Sequence, residues 1–225
     1  MNHVIAQTLL LDLDGTLADT APDLIAALNT VLAENDRPPV ALTKGRFWVA
    51  SGSVGMIRTA FDLTEDAARA SPLRHRLLAL YSENICVQTR LFPGMEALLR
   101  QADADGLSWG VVTNKPACFT EPLLEALGLA RRAAVIVCGD TVACPKPDPM
   151  PLLYACQQTG SSASSTLFAG DDLRDIQAGR AAGMATAAVT WGYSHAAEIS
   201  AWGAEHVVGD PGELLHPKLW TRPAT

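Results

Sequence analysis

The chain has 225 residues, with 17 Lys and Arg against 24 Asp and Glu and a formal charge of −7. Bulk binding to nucleic acid or to an anionic membrane is excluded by this balance, because both surfaces need clustered cations. Hydrophobic residues at 48% and charged residues at 18% describe a globular chain with ample sequence for a core, and at roughly 150 residues per domain the length fits one domain with a large insertion or two modest ones.

At the N-terminus, Met1 to Gln7 carries no basic segment of the kind that starts a secretory leader, and no stretch approaches the roughly 18 apolar residues of a membrane span. Cys86, Cys118, Cys138, Cys144 and Cys156 fall in no metal-ligand spacing, so reduced thiols in a cytoplasmic protein are expected. Thr8-Leu9-Leu10-Leu11-Asp12 reads as a buried strand running into a functional loop. Thr20 with Pro22 and Asp23 then starts a helix carrying Leu24, Ile25, Leu28, Val31 and Leu32, closed by Pro38-Pro39. From there to about Leu91 only helical patterns occur: residues 47–49, 54–61, and a longer run from Leu73 to Tyr81, with Ser51-Gly52-Ser53 read as a loop.

After Phe92-Pro93-Gly94 the pattern alternates. A helix through Met95, Leu98 and Leu99 leads to a strand at 109–113, and a helix at 123–127 ends at Gly128. A strand at 134–138, a helix at 152–158, a strand at 166–169 and a helix at 176–182 follow, the last ended by Gly183. Short strands at 185–189 and 206–208 complete the chain. Uniformly apolar strands alternating with helices predict an α/β fold, a doubly wound parallel sheet. Its core would comprise residues 1–19 and 90–225, interrupted after the first strand by an all-helical insertion at 20–89.

Ligands of such sheets gather at the carboxyl ends of the strands. There the sequence places Asp12, Asp14, Gly15 and Thr16; Thr113 and Asn114; Lys146-Pro147; and Gly170, Asp171, Asp172 and Asp175. Asp12 and Asp14, two apart, would project to one side of an extended backbone. With a hard oxygen-binding cation such as Mg²⁺, one carboxylate could ligate it and attack an electrophile while the other serves a leaving group, with Asp171 as a further ligand. Thr113 and Asn114 suit phosphate oxygens and Lys146 supplies a fixed cation, a combination that fits phosphoryl transfer.

Asp12-Leu13-Asp14-Gly15-Thr16-Leu17, Val112-Thr113-Asn114-Lys115, Lys146-Pro147 and Gly170-Asp171-Asp172-Leu173-Arg174-Asp175 resemble the four ordered motifs of the haloacid dehalogenase superfamily, whose core is Rossmann-like. The insertion resembles that family's small helical cap. The resemblance implies Asp12 as a nucleophile forming an aspartyl-phosphate and Asp14 as general acid and then base. It further implies Thr113 and Asn114 on the phosphate, and Lys146 bracing phosphate and nucleophile. Mg²⁺ would be held by Asp12, the backbone carbonyl of Asp14, and Asp171, with Asp175 ligating or orienting the metal site. Asp14 favours a phosphatase over a dehalogenase, since a departing halide needs no proton.

Specificity is expected from the insertion, where Ser51 and Gly52 lie at a cap-loop position and Arg58, Lys44 and Arg46 could pair with a substrate carboxylate; Trp48 reads as packing. The chain as a whole resembles the phosphoglycolate phosphatase branch, which makes a 2-phosphoglycolate-type metabolite the expected substrate. Arg90 to Met95, Cys138-Gly139-Asp140-Thr141 and Asp175 to Met184 also resemble N-acetylmuramic acid 6-phosphate phosphatases. A phosphomutase would keep every motif, and a phosphoreceiver domain would be about half as long and lack the cap. The expected partner is a small phosphorylated metabolite, with no nucleic acid and no membrane, acted on by a monomer or homodimer.

Overall fold

The computed structural model describes residues 7–220. The N-terminal stretch read above for a leader lies, apart from Gln7, outside the described residues. Two compact units are formed, one by residues up to Ala18 together with those from Leu91 onward, the other by Asp19–Arg90. In chain order the strands are β1 (Thr8–Leu11), β2 (Ala18–Asp19), β3 (Arg90–Leu91), β4 (Ser108–Val112), β5 (Val135–Val137), β6 (Thr166–Gly170), β7 (Ala185–Val189) and β8 (His206–Val208).

The large unit is built on a six-stranded sheet in the order β5-β4-β1-β6-β7-β8, and every neighbouring pair in it is parallel. Because both faces of a parallel sheet are covered, its strands are apolar throughout rather than alternating. Leu9, Leu10, Leu11, Val111, Val112, Leu167, Phe168, Ala169, Ala187 and Val189 are accordingly shut off from solvent. The chain starts at the sheet's centre with β1, builds outward through β4 and β5, and then returns to the other side of β1 with β6. Connections from β1 and β6 therefore diverge at their carboxyl ends and leave a crevice there. The doubly wound α/β reading holds in full.

Around this sheet lie α6 (Met95–Ala104), α7 (Ala117–Ala126), α8 (Met150–Thr159), α9 (Leu173–Ala182) and the short α10 (Ala196–Ile199), which follow α1–α5 of the helical unit described next. Several helices begin earlier than their apolar periodicity suggested. The clearest case is α9, whose first turn is polar. Asp172 accepts from Arg174 N at 2.8 Å while its own N–H donates to Asp175 Oδ2 at 3.1 Å, a reciprocal cap that starts the helix three residues before Ile176.

The helical unit contains α1 (Ala21–Ala33), α2 (Leu42–Val49), α3 (Gly52–Phe61), α4 (Glu65–Ala70) and α5 (Pro72–Glu83). The break expected over Ser51-Gly52-Ser53 is shorter than predicted: Ser51 stands just before α3 with no side-chain bond to its first turn, and Gly52 and Ser53 already belong to that turn. Helix α4 escapes sequence reading because only Ala68 of its six residues is buried, so it has no apolar period; a Thr64 side chain accepting from Ala67 N at 3.3 Å starts it instead. Trp48 is half-buried with the Lys44 ammonium 5.7 Å from its ring, so it is not a core residue.

One buried acid ties this unit's two ends together. Asp23 in the first turn of α1 accepts from Gln88 N at 2.8 Å, Thr89 N at 2.8 Å and Thr89 Oγ1 at 2.7 Å. Truncation would leave these donors without an acceptor, each costing on the order of 1–3 kcal/mol where buried. Asp23→Ala should therefore destabilise the protein by about 2–4 kcal/mol, seen as a lower midpoint in urea unfolding. A change below 1 kcal/mol would show that the 88–89 segment is held by other means.

Candidate active site

The end of β1 turns sharply. Asp12 N–H donates to Ala169 O of β6 at 2.9 Å, and the Leu13 carbonyl accepts from Leu17 N and Ala18 N, both at 3.0 Å. Leu13 points into the core while Asp12 is buried at the crevice. Gly15 has φ +86°, and a Cβ there would collide with the Asp171 carboxylate. A side chain at this point is thus disfavoured both by backbone conformation and by space. Because the chain turns rather than staying extended, Asp12 and Asp14 are held by different cations, Lys146 and Lys115 respectively.

Lys146 is buried with all three ammonium protons accounted for. Its Nζ lies 2.8 Å from Asp12 Oδ1, 2.7 Å from Asp175 Oδ1 and 2.7 Å from the Val112 carbonyl. Burial would lower its pKa, but the carboxylates of Asp12 and Asp175 outweigh this and hold it above the ordinary lysine value. Asn114 fixes the backbone that presents it: its Nδ2 donates to Lys146 O at 2.8 Å and its Oδ1 accepts from Lys146 N at 2.9 Å. Both amide atoms of the Asn114 side chain are thus engaged in a clamp on the Lys146 loop. Thr113 is buried at the end of β4, where its N–H donates to Val137 O at 2.9 Å and its Oγ1 accepts from Lys115 N at 3.2 Å.

On the β6 side, Asp171 accepts from Thr16 Oγ1 at 2.8 Å and from Tyr193 N at 2.8 Å. Thr16 is itself tied down, its carbonyl accepting from Trp191 Nε1 at 3.0 Å. Burial, with the charges of Asp12 and Asp175 close by, pushes the Asp171 carboxyl well above the usual carboxylate range despite these donors. Burial likewise pushes Asp175 up to about 7, against the lowering pull of Lys146. Asp12, Asp171 and Asp175 each offer an oxygen, and these atoms lie within 4.8 Å of one another. Three buried, mutually repelling carboxylates make a donor set of the hard, anionic kind that suits a divalent cation. Asp175 is the most committed of the three, with one oxygen in the α9 cap and the other on Lys146.

A model of the haloacid dehalogenase-like hydrolases matches residues 9–189. The chain belongs to this family. Among its relatives, this hydrolase is 46% identical to an N-acetylmuramic acid 6-phosphate phosphatase of Pseudomonas aeruginosa, over 96% of each chain. It is 40% identical to a phosphoglycolate phosphatase of Xanthomonas campestris pv. campestris, over 96% of this chain and 98% of that one. Its fold superposes with a TM-score of 0.83 on a crystal structure described as a predicted phosphoglycolate phosphatase from Haemophilus somnus, at 29% identity over 95% and 98% of the two chains. A hydrolase from Pseudomonas syringae gives a TM-score of 0.71 at 26% identity, covering 94% and 98%.

Of the site residues expected for this hydrolase, Asp12, Asp14, Thr113, Asn114, Lys146, Asp171 and Asp175 all lie in the large unit, whereas Ser51, Gly52 and Arg58 belong to the helical one. Arg46 is paired with Asp19 at 3.1 Å, while Arg58 is exposed on α3 and makes no ion pair among the described residues. Thr16 and Lys115, to which the motifs assign no side-chain role, bond two of the site carboxylates, Asp171 and Asp14. The five cysteines are free thiols, and among the described residues no helix is long and apolar enough to cross a membrane.

Clustered carboxylates should make the metal-free protein pH-sensitive. Asp175 titrates near 7 in the folded chain against 3.8 as the ordinary value. The folded state thus retains protons that the unfolded chain has already lost. Stability of the metal-free hydrolase should fall as pH rises from about 4 to about 7, measured by thermal unfolding in EDTA. Asp171→Asn removes one buried acid, so its unfolding temperature in EDTA at neutral pH should rise by several degrees, at roughly 2–4 °C per kcal/mol, while the stabilisation by a divalent cation should disappear. A variant less stable than the parent in EDTA would contradict this account of the cluster.

Proposed function

We propose that the protein is a Mg²⁺-dependent phosphomonoesterase working through an aspartyl-phosphate on Asp12. The observation that carries this reading is Asp12 itself. It is a buried carboxylate at the crevice of a doubly wound sheet, bonded to Lys146 at 2.8 Å, within 4.8 Å of Asp171, and followed two residues later by a second, less buried carboxylate.

Asp12 and Asp171 would hold the cation with the Asp14 backbone carbonyl, while Asp175 keeps Lys146 and the start of α9 in place. When bound, the cation neutralises charge between the phosphate and the nucleophile and orients the phosphoryl group. Lys146 keeps the Asp12 carboxylate oriented. An Asp12 oxygen attacks phosphorus, the P–O bond to the leaving alcohol breaks, and that oxygen takes a proton from Asp14. Water then attacks the acyl-phosphate and gives its proton to Asp14, which frees inorganic phosphate, returns Asp12 to its carboxylate and returns Asp14 to the protonated form that serves the next turnover. Thr113, at the end of β4, is the hydroxyl assigned to the phosphate oxygens, with the backbone of Asn114 beside it.

For the substrate, the higher identity to N-acetylmuramic acid 6-phosphate phosphatases, 46% and 45% in two Pseudomonas proteins against 40% to phosphoglycolate phosphatases, favours N-acetylmuramic acid 6-phosphate. That reverses the order expected from the resemblance of the chain as a whole to the phosphoglycolate phosphatase branch. 2-Phosphoglycolate is the second reading, favoured by full-length similarity to four proteins of that name at 38–40% identity. Both are phosphomonoesters carrying a carboxylate. Choice between leaving groups is assigned to the helical unit, with exposed Arg58 as its first candidate cation.

Phosphate release from both substrates should require Mg²⁺, vanish in EDTA and return when the ion is restored. Asp12→Asn should lower kcat at least about 1,000-fold without changing the far-UV spectrum. A folded Asp12→Asn protein with parental turnover would overturn the aspartyl-phosphate, and activity undiminished by chelation would overturn the metal assignment.

A further inference from the structure

We infer that Lys115 is a positioning residue for Asp14, and that the tripeptide Thr113-Asn114-Lys115 sets the aim of both catalytic carboxylates at once. This rests on the phosphatase reading above and adds a role that the reaction scheme leaves unfilled.

Lys115 Nζ lies 2.9 Å from Asp14 Oδ1 and 3.2 Å from Oδ2, so it bonds both oxygens of the carboxylate. Its side chain is only 7% exposed, against 22% for Asp14. The ammonium therefore approaches from the protein side and leaves the carboxylate accessible. A nearly buried lysine would be held loosely if its backbone were free, and it is not. The Lys115 carbonyl accepts from Gly139 N at 2.9 Å and from Thr120 Oγ1 at 3.1 Å, and its N–H donates to Thr113 Oγ1 at 3.2 Å. A Cβ on Gly139 would strike the Asn114 carbonyl, so close backbone packing pins the segment as well.

The preceding residue does the equivalent job for the nucleophile. Asn114 grips the Lys146 backbone through both its amide atoms, and Lys146 bonds Asp12. Two consecutive side chains at the end of β4 thus govern the two acids of the loop after β1. Asp14 has to reach the ester oxygen of a substrate held on Asp12. Its side chain turns about two torsions, and without a partner it would sample rotamers that cannot deliver a proton there. Bonding both oxygens to one fixed cation restricts those torsions.

A residue that aims the proton donor affects a substrate in proportion to how much its leaving group needs the proton. The specificity constant kcat/KM reads the first phosphoryl transfer, the step in which the alcohol departs. It should be measured for p-nitrophenyl phosphate, phenyl phosphate and benzyl phosphate, whose leaving groups span good to poor and carry no carboxylate. The variants are Lys115→Met, Lys115→Arg and Asp14→Asn, in the full chain with Mg²⁺. Lys115→Met should lose less than about tenfold on p-nitrophenyl phosphate and about 100-fold on benzyl phosphate, inside the range for general acid catalysis. That steepening should parallel Asp14→Asn, and the Lys115→Met change should add no further steepening in the Asp14→Asn background. Lys115→Arg, which keeps the charge and both hydrogen bonds, should recover most of the parental slope.

An equal loss on all three esters, or no loss, would overturn the positioning role and leave the phosphatase reading intact, because Asp12→Asn tests that reading separately. With 2-phosphoglycolate assayed beside the three esters, a Lys115→Met loss confined to 2-phosphoglycolate would likewise overturn it and make Lys115 a substrate contact. If Lys115→Met does not fold, Lys115→Arg and Lys115→Gln carry the same comparison, with Gln expected to steepen the slope and Arg to restore it.

Discussion

A single buried ammonium organises the candidate active site of this molecule. Lys146 sits out of reach of solvent, with its three protons on Asp12, Asp175 and the Val112 carbonyl. A charge in that position is tolerable only if it is paired and fully hydrogen-bonded, and loss of one partner from such a set typically costs about 3–5 kcal/mol. The pull of Lys146 on Asp175 is outweighed by burial, and Asp171, which it does not touch in this structure, is likewise held well above the ordinary carboxylate range.

Much of the surrounding architecture can be understood as support for that arrangement. The sheet begins at its centre with β1 and later returns with β6 at its side, so the loops bearing Asp12 and Asp171 emerge as neighbours. Gly15 leaves room for the Asp171 carboxylate, and Gly192 faces it from another side, where a Cβ would also collide with it. The reciprocal cap at Asp172 and Asp175 starts α9 and simultaneously aims the second oxygen of Asp175 at Lys146. A helix cap and an electrostatic brace are here the same residue. Asp172 is in turn steadied by Arg174, which bonds it at 2.7 Å and whose own pKa the pairing raises.

The helical unit follows the same physics on a smaller scale. Its buried acid, Asp23, is satisfied by backbone and hydroxyl donors rather than by a cation, which lets one carboxylate join the start of α1 to the segment entering β3. Its cations lie nearer solvent. Arg76 and Glu34 are exposed partners at 2.8 Å, the kind of surface pair that contributes little to stability, and Arg37 stacks over Phe61 at 4.9 Å.

The sequence by itself determined the sheet, because strands buried on both faces must be apolar along their length, and it placed the candidate site residues by motif at the strand ends. It could not resolve α4, whose six residues bury one alanine and so carry no period, nor the true start of α9, whose first turn is polar for electrostatic reasons. What only the tertiary structure decided is which group holds which. Asn114 binds the backbone of Lys146 across 32 residues, Lys115 reaches Asp14 across 101, and Thr16 reaches Asp171 across 155. Local spacing encodes where a side chain lies along its own strand or turn. Its hydrogen-bond partner is set by strand order and by which buried donor or acceptor would otherwise go unpaired. That is why the clamp of Asn114 on Lys146 and the reach of Lys115 to Asp14 became visible only when the chain was folded.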